Sequence, residues 1–394
     1  MTISGTTSAT NAGTYTATFI PISGYTWSDG TTTAKNITWT INKATGSLSI
    51  NKTSMSLNTS TPTGTITVTR AGNGTISATS SNTSVATVSV SGTTVTVTGK
   101  ATGNATITIK VATGTNHTAP SNKTCSVSCE FLPTVGTPLN DISWADIKRI
   151  SDAGLASSYF TVGDRKAVAL NGTVGNLSLR GTYYCFIIGI NHNSAKEGSN
   201  RIHFQIGKTT SGTDIAFCDS NYNSTGSSQG FRMNLSNTNS GGWNGSYGRN
   251  TLLGNSGTPT APPANSFMAA LPADLRAVMK PVTKYTDNTG NASNTSGAVT
   301  ATTDYLFFLA EFEVQGARSY ANRYEQNYQA QYDYYKAGNS KVKYRHDATG
   351  TAVYHWCRSA AYTDDICFCL VIIDGSADTG GAFDSIGLAP GFCV

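Results

Sequence analysis

Ser84-Val85-Ala86-Thr87-Val88, and a few residues on Gly99-Lys100-Ala101-Thr102-Gly103-Asn104-Ala105-Thr106-Ile107, decide the architecture of the first third of this chain. Around them Leu48/Ile50, Ile66/Val68, Val85/Val88/Val90, Val95/Val97 and Ile107/Ile109 place apolar residues largely at period two, with Thr and Ser between. Alternate residues of a strand face opposite ways, so each run buries one face and wets the other. Short strands of this kind at close spacing predict a β-sandwich over residues 44–129. Working outward, 1–43 reads as further short strands, with Thr14–Phe19 and Ile37–Ile41 alternating and Gly24 and Asp29-Gly30 supplying turns.

Composition narrows the functional classes. Of 394 residues only 12% are charged, 38% are hydrophobic and 40 are glycine, which favours β structure rich in turns. The 37 aromatics (14 Phe, 18 Tyr, 5 Trp) argue for packed cores over disorder. A net charge of +5 is spread thinly and forms no basic run, so no nucleic-acid partner is expected. No apolar run approaches the roughly 20 residues of a membrane helix, and Met1-Thr2-Ile3-Ser4 does not open a signal peptide. The expectation is a virion protein or a piece of a longer surface protein. Eight cysteines lack zinc-ribbon spacing and are expected as buried thiols.

Glu130 to Leu139, with Pro133 and Pro138, reads as a linker (130–140). Beyond it, 141–394 forms one large domain. Ser143 caps a helix whose Trp144, Ile147 and Ile150 share a face, and a second helix is expected at Ala273–Met279. Strands are expected at Lys166–Leu170, Tyr183–Ile190, Arg201–Ile206, Asp214–Cys218, Tyr305–Val314 and Phe368–Ile373, with long loops over Asn234 to Pro263. Residues 44–129 resemble the bacterial Ig-like group 2 domain, a spacer, and 1–43 resembles a shortened Ig-like module of bacterial surface proteins. The resulting fold class is mainly β with some α: N-terminal Ig-like β-sandwich modules, then a C-terminal α+β domain.

From Cys357 to Val394 the chain contains no Lys, Glu, Gln, Met or Trp, the residue types that adenine-directed mutagenesis of Asn codons cannot produce. With Trp356, Arg358-Ser359, Phe368-Cys369, Val371, Gly375, Ala377, Gly387, Ala389-Pro390 and Phe392 as framework, this tail resembles the variable region of retroelement-diversified proteins. Ile142-Ser143-Trp144, Phe186 to His192, Gly241-Gly242-Trp243 and the closing Ala389-Pro390-Gly391-Phe392 also resemble an uncharacterised C-terminal domain of surface and phage tail proteins from gut bacteria and their viruses. These resemblances imply a C-type-lectin-like domain with scattered ligand-binding positions. Here those positions are Ala361, Tyr362, Thr363, Asp364, Asp365, Ile366, Leu370, Ile372, Ile373, Asp378, Thr379, Phe383, Asp384 and Ile386. A fixed framework holding exchangeable side chains is the logic of a paratope. Cys357 departs from the aliphatic residue expected in the Trp-x-Arg-Ser motif.

Signals for chemistry are weak. His192, leaving an apolar run, is the best single candidate, and a satisfied structural histidine is the plainer reading. Glu311 and Glu313, two apart on an expected strand, could serve as acid and base or bind Ca²⁺, or simply form its polar face. Tyr320, Tyr324, Tyr328, Tyr332 and Tyr335 form a stripe if helical, suited to packing or to stacking on sugars. No catalytic or metal-binding residue and no cofactor is expected. The expected function is attachment by a phage tail-tip or fibre protein to a bacterial surface receptor, protein or glycan, as a homotrimer by analogy with tail adhesins. A bacterial cell-surface adhesin is the alternative, and a carbohydrate-active enzyme a more distant one.

Overall fold

Alternation at period two dominates the computed structural model, which describes residues 1–222 and 229–394 and is mainly β. The chain divides into two compact units, Met1–Leu132 and Pro133–Val394.

In the first unit, β1 (Thr2–Gly5), β2 (Gly13–Ile20) and β3 (Lys35–Ile41) form an antiparallel sheet. Eight further strands form two four-stranded sheets. One has the order β4 (Leu48–Ile50), β6 (Thr63–Arg70), β9 (Thr94–Gly99), β8 (Ala86–Ser91). The other runs β5 (Ser54–Asn58), β11 (Lys123–Glu130), β10 (Gly103–Val111), β7 (Ile76–Ser80), with β5 and β11 parallel. Their inward positions, among them Leu57, Ile66, Val68, Val95, Val97, Ile107, Ile109 and Val127, make one core. Cys125 and Cys129 lie four apart on β11, both inward, and fill that core as small apolar groups.

The second unit is built on a five-stranded sheet: β12 (Arg165–Val174), β13 (Leu177–Ile190), β14 (Ile202–Lys208), β24 (Gly391–Cys393) and β18 (Leu306–Phe307). The last residues of the chain therefore sit inside this sheet, between β14 and β18. Helix α1 (Trp144–Asp152) packs Trp144 edge-on against Phe204 and Phe392, which stack at 5.1 Å. Its first turn is capped by Ser143, which accepts from the Asp146 N–H at 3.1 Å. Smaller sheets join β15 (Ile215–Ala216), β19 (Lys343–Arg345) and β20 (Ala348–Val353), and pair β16 (Val282–Asp287) with β17 (Val299–Asp304). The antiparallel meander of β21 (His355–Ala360), β22 (Cys367–Val371) and β23 (Ala377–Gly381) completes the unit.

Several expected elements are corrected. The strand expected over Tyr305–Val314 ends at Phe307, and Glu311–Gln315 is a short helix. Its start is stabilised by the Glu313 carboxylate, which accepts the Ala310 N–H at 3.0 Å, and Gly316 at φ +71° closes it. The tyrosine stripe is not helical. Only Glu325–Asn327 and Asp333–Lys336 make single turns, and the Tyr332 N–H donates instead to Glu313 O. The helix at Ala273 stops at Arg276, and the strand expected over Asp214–Cys218 is only Ile215–Ala216. Asn234 to Pro263 is not loop alone: it contains short helical turns and buries Trp243, Leu252 and Leu253.

Candidate ligand-binding face

β22 is covered on both sides: Phe368, Cys369, Leu370 and Val371 are all buried. It pairs with β23 in the register Cys367↔Gly381 to Val371↔Ala377, and with β21 through His355↔Val371 and Trp356↔Leu370. The framework residues of β21 are anchored from within. Trp356 Nε1 donates to Phe231 O at 2.8 Å. Ser359 Oγ donates to the Glu325 carboxylate at 2.7 Å. Gly387 exchanges backbone hydrogen bonds with Tyr354 and Trp356, and a Cβ there would come within 2.8 Å of Tyr354 O, so the close approach requires glycine.

Arg358 is the deepest anchor. Fully buried, it grips Glu313 bidentately (2.5 and 2.8 Å) and also donates to Thr286 Oγ1 and Phe308 O. Lys284, equally buried, donates to Glu197 (2.6 Å), Glu313 (3.1 Å) and the Tyr332 hydroxyl (2.8 Å). Two carboxylates thus face two cations. Burial alone would raise Glu313, but Arg358 and Lys284 outweigh it and hold the group well below the usual carboxylate range. Glu311 serves the backbone, accepting from the N–H groups of Ser319, Tyr320 and Ala321. Glu325, fully buried, is pushed up to about 7 by desolvation.

The loop after β21 is tied down by one side chain. Buried Asn239 donates through Nδ2 to the carbonyls of Ala361 (3.1 Å), Asp364 (3.0 Å) and Cys367 (2.9 Å), while its own N–H donates to Asp365 O. The Asp364 carboxylate accepts from the N–H groups of Ile366 and Cys367, closing the turn. Ala382 N donates to Ile366 O, so the turn Gly381–Asp384 lies alongside. Arg318 lies over the Tyr362 ring at 5.3 Å.

The fourteen candidate positions divide accordingly. Thr363, Asp365, Ile366 and Ile373 are exposed, the two isoleucines at 39% and 50%. Tyr362, Asp364, Ile372, Asp378, Thr379, Phe383 and Asp384 are half-buried. Ala361, Leu370 and Ile386 are buried and are not surface positions. Leu370 pairs with Trp356 on β21 and Asp378 on β23, and a Cβ at neighbouring Gly380 would approach its side chain to 2.8 Å and the Trp356 ring to 3.5 Å. Tyr362 to Ile366 with Phe383 and Asp384 gather at one end of the meander. Ile372 and Ile373 lie at the other, roughly 20 Å of strand away. Sequence reasoning missed Asn239 and Arg318, which are distant in the chain and belong to no motif.

The other candidates are structural. His192 is buried, stacks on Tyr332 at 3.8 Å, and is held neutral, down to about 3, by burial and by Lys284. His192, Glu197 and Glu313 bring ligand atoms within 4.8 Å of one another, yet the ammonium of Lys284 already rests on both carboxylates. The cation of that cluster is the chain's own, and a divalent ion would add uncompensated buried charge. Glu311 and Glu313, on a helix and buried, do not make the solvent-facing pair expected of them. Tyr332 and Tyr335 are interior, and Tyr328 stacks on Tyr285 at 4.8 Å.

Residues 223–394 match a family described as "Domain of unknown function (DUF6273)". No curated protein matches the chain. Among solved structures, "Crystal structure of the S-layer protein SbsC domains 4 and 5" is 28% identical over 30% of this chain and 58% of that one, at a TM-score of 0.19. "Structure of surface layer protein SbsC, domains 4-9" is 20% identical over 52% of this chain and 25% of that one, also at 0.19. The chain thus spans 58% and 25% of the lengths of those two, and superpositions at this level transfer neither fold nor function.

Proposed function

We propose that this chain is a non-catalytic attachment protein. Its first unit serves as an Ig-like spacer, and its second, C-type-lectin-like, binds a bacterial surface receptor through the end of the meander at Tyr362–Ile366, Phe383 and Asp384. The observation that carries the reading is the division of labour along the tail: Trp356, Arg358 and Ser359 are interior with hydrogen-bonded side chains and Phe368 and Phe392 are interior, while the loop held by Asn239 presents apolar and acidic side chains to solvent. Side chains there can change without touching the core, which is what retroelement-driven diversification needs. The buried ionisable groups around Arg358 and Lys284 neutralise one another, which speaks against catalysis at that cluster. Display on a phage tail as a trimer would multiply weak single sites, and a bacterial cell-surface adhesin would use the same face.

The test is flow cytometry of the labelled full chain on Gram-negative and Gram-positive cells, against a variant carrying Asp365→Ala, Ile366→Ala and Phe383→Ala. Binding that disappears in the variant at unchanged melting temperature is expected. Undiminished binding by the variant would move the site elsewhere.

A further inference from the structure

Lys343 and Asp214 differ from the bonded ion pairs around Arg358 and Lys284. β15 and β19 run parallel in the register Ile215↔Tyr344, and Tyr344 N donates to Asp214 O at 2.9 Å. Asp214, immediately before β15, and Lys343, the first residue of β19, therefore lie side by side. Among the described residues, the buried Lys343 ammonium nitrogen has no hydrogen-bond partner; neither has the Asp214 Oδ1 atom. The two unpartnered atoms lie 3.8 Å apart. Around them stand the Phe186 ring, 5.5 Å from Lys343 Nζ, and Lys208, which donates to the other carboxylate oxygen, Oδ2, at 2.9 Å and to Tyr334 Oη at 3.0 Å.

We propose that Lys343 Nζ and Asp214 Cγ condense to an intramolecular amide that covalently joins β15 to β19. In the step, the neutral amine of Lys343 attacks Asp214 Cγ, and a C–N bond forms. The C–Oδ2 bond breaks, and the departing oxygen leaves as water. Two of the three hydrogens involved come from the Lys343 amine and one from the Lys208 ammonium. One stays on the amide nitrogen and two leave with the water, and Lys208 recovers its proton from solvent. No oxidant, metal or co-reactant is needed. The surroundings supply what each partner requires. Burial, with Lys208 nearby, pushes Lys343 down to about 8, so its uncharged form is accessible near neutral pH. Burial also lowers Lys208, but its bonds to Asp214 and Tyr334 outweigh this and keep it protonated as the acid. Lys284 marks the contrast: three partners, Glu197, Glu313 and the Tyr332 hydroxyl, satisfy its side-chain nitrogen.

The bond would tie together segments on either side of the long stretch between residues 214 and 343 and brace the unit against unfolding. It is independent of the attachment reading. Intact-mass spectrometry of the denatured full chain, after incubation of the folded protein above pH 8, tests it. The expected mass is lower than that of the sequence by one water, with a branched tryptic peptide joining Asp214 to Lys343, and both features absent in Lys343→Arg and Asp214→Ala. The unmodified sequence mass in the wild-type chain would overturn the proposal. So would a water loss that persists in Lys343→Arg, which would place a dehydration elsewhere.

Discussion

Replacing Arg358 by methionine removes the cation at the heart of the second unit while keeping much of its volume. Four hydrogen bonds disappear: two to Glu313, one to Thr286 Oγ1 and one to Phe308 O. Glu313 keeps Lys284 at 3.1 Å and the Ala310 N–H, but Lys284 is shared with Glu197, so two carboxylates are left with one cation. Breaking a buried pair by removing one partner costs about 3–5 kcal/mol. At about 2–4 °C per kcal/mol for a domain of this size, the second unit should melt about 6–20 °C lower. Trp144, Trp243 and Trp356 belong to this unit and are buried, so their fluorescence follows it through urea or heat. A shift below about 2 °C would show that Arg358 is not the anchor of the framework.

Other perturbations separate framework from face. Asn239→Ala strands three carbonyls and should cost about 2–4 kcal/mol, with faster amide exchange confined first to residues 361–367. Leu370→Ala should cost about 2–5 kcal/mol, whereas Thr363→Ala, Asp365→Ala and Ile373→Thr should stay within about 0.5 kcal/mol in chemical denaturation. Glu325, raised by burial from 4.5 to about 7, favours its protonated form when folded. Its contribution is therefore complete below about pH 4.5 and is lost as pH rises through about 7, roughly 3 kcal/mol in all. Glu325→Gln should flatten that part of the stability–pH curve, and an unchanged slope would contradict the assignment.

The elements legible in the sequence were those whose burial follows a simple period. The alternation of Ile66/Val68 and Val95/Val97 appears as facing positions of one sandwich core, and Ser143 with Trp144, Ile147 and Ile150 appears as a capped helix. Period and spacing failed where long-range bonds override local pattern. Glu311-Phe312-Glu313 alternates like a strand, yet its carboxylates are claimed by Arg358 and by the backbone of 319–321, which the sequence places far away or out of phase. The tyrosines recur at helical spacing, but Tyr332 is drawn to Lys284 and His203, and Tyr335 to Gln205. In the tail, Trp356, Arg358 and Phe392 were readable as framework, and Thr363, Asp365 and Ile373 do lie at the surface. Leu370, Ala361 and Ile386 were not readable as interior, because the partners that pair with or bond to them, β23 and the segments holding Phe231 and Asn239, leave no mark on the local sequence.

The decisive measurement is a saturation library over residues 354–394, scored in parallel for folding and for binding to the bacterial cells that the wild-type chain recognises. Folding is expected to tolerate most substitutions at Thr363, Asp365, Ile366 and Phe383 and few at Trp356, Arg358, Leu370 and Phe392, while binding is lost at the first group. Binding that survives at all four tolerant positions would contradict a receptor-binding face at this end of the meander.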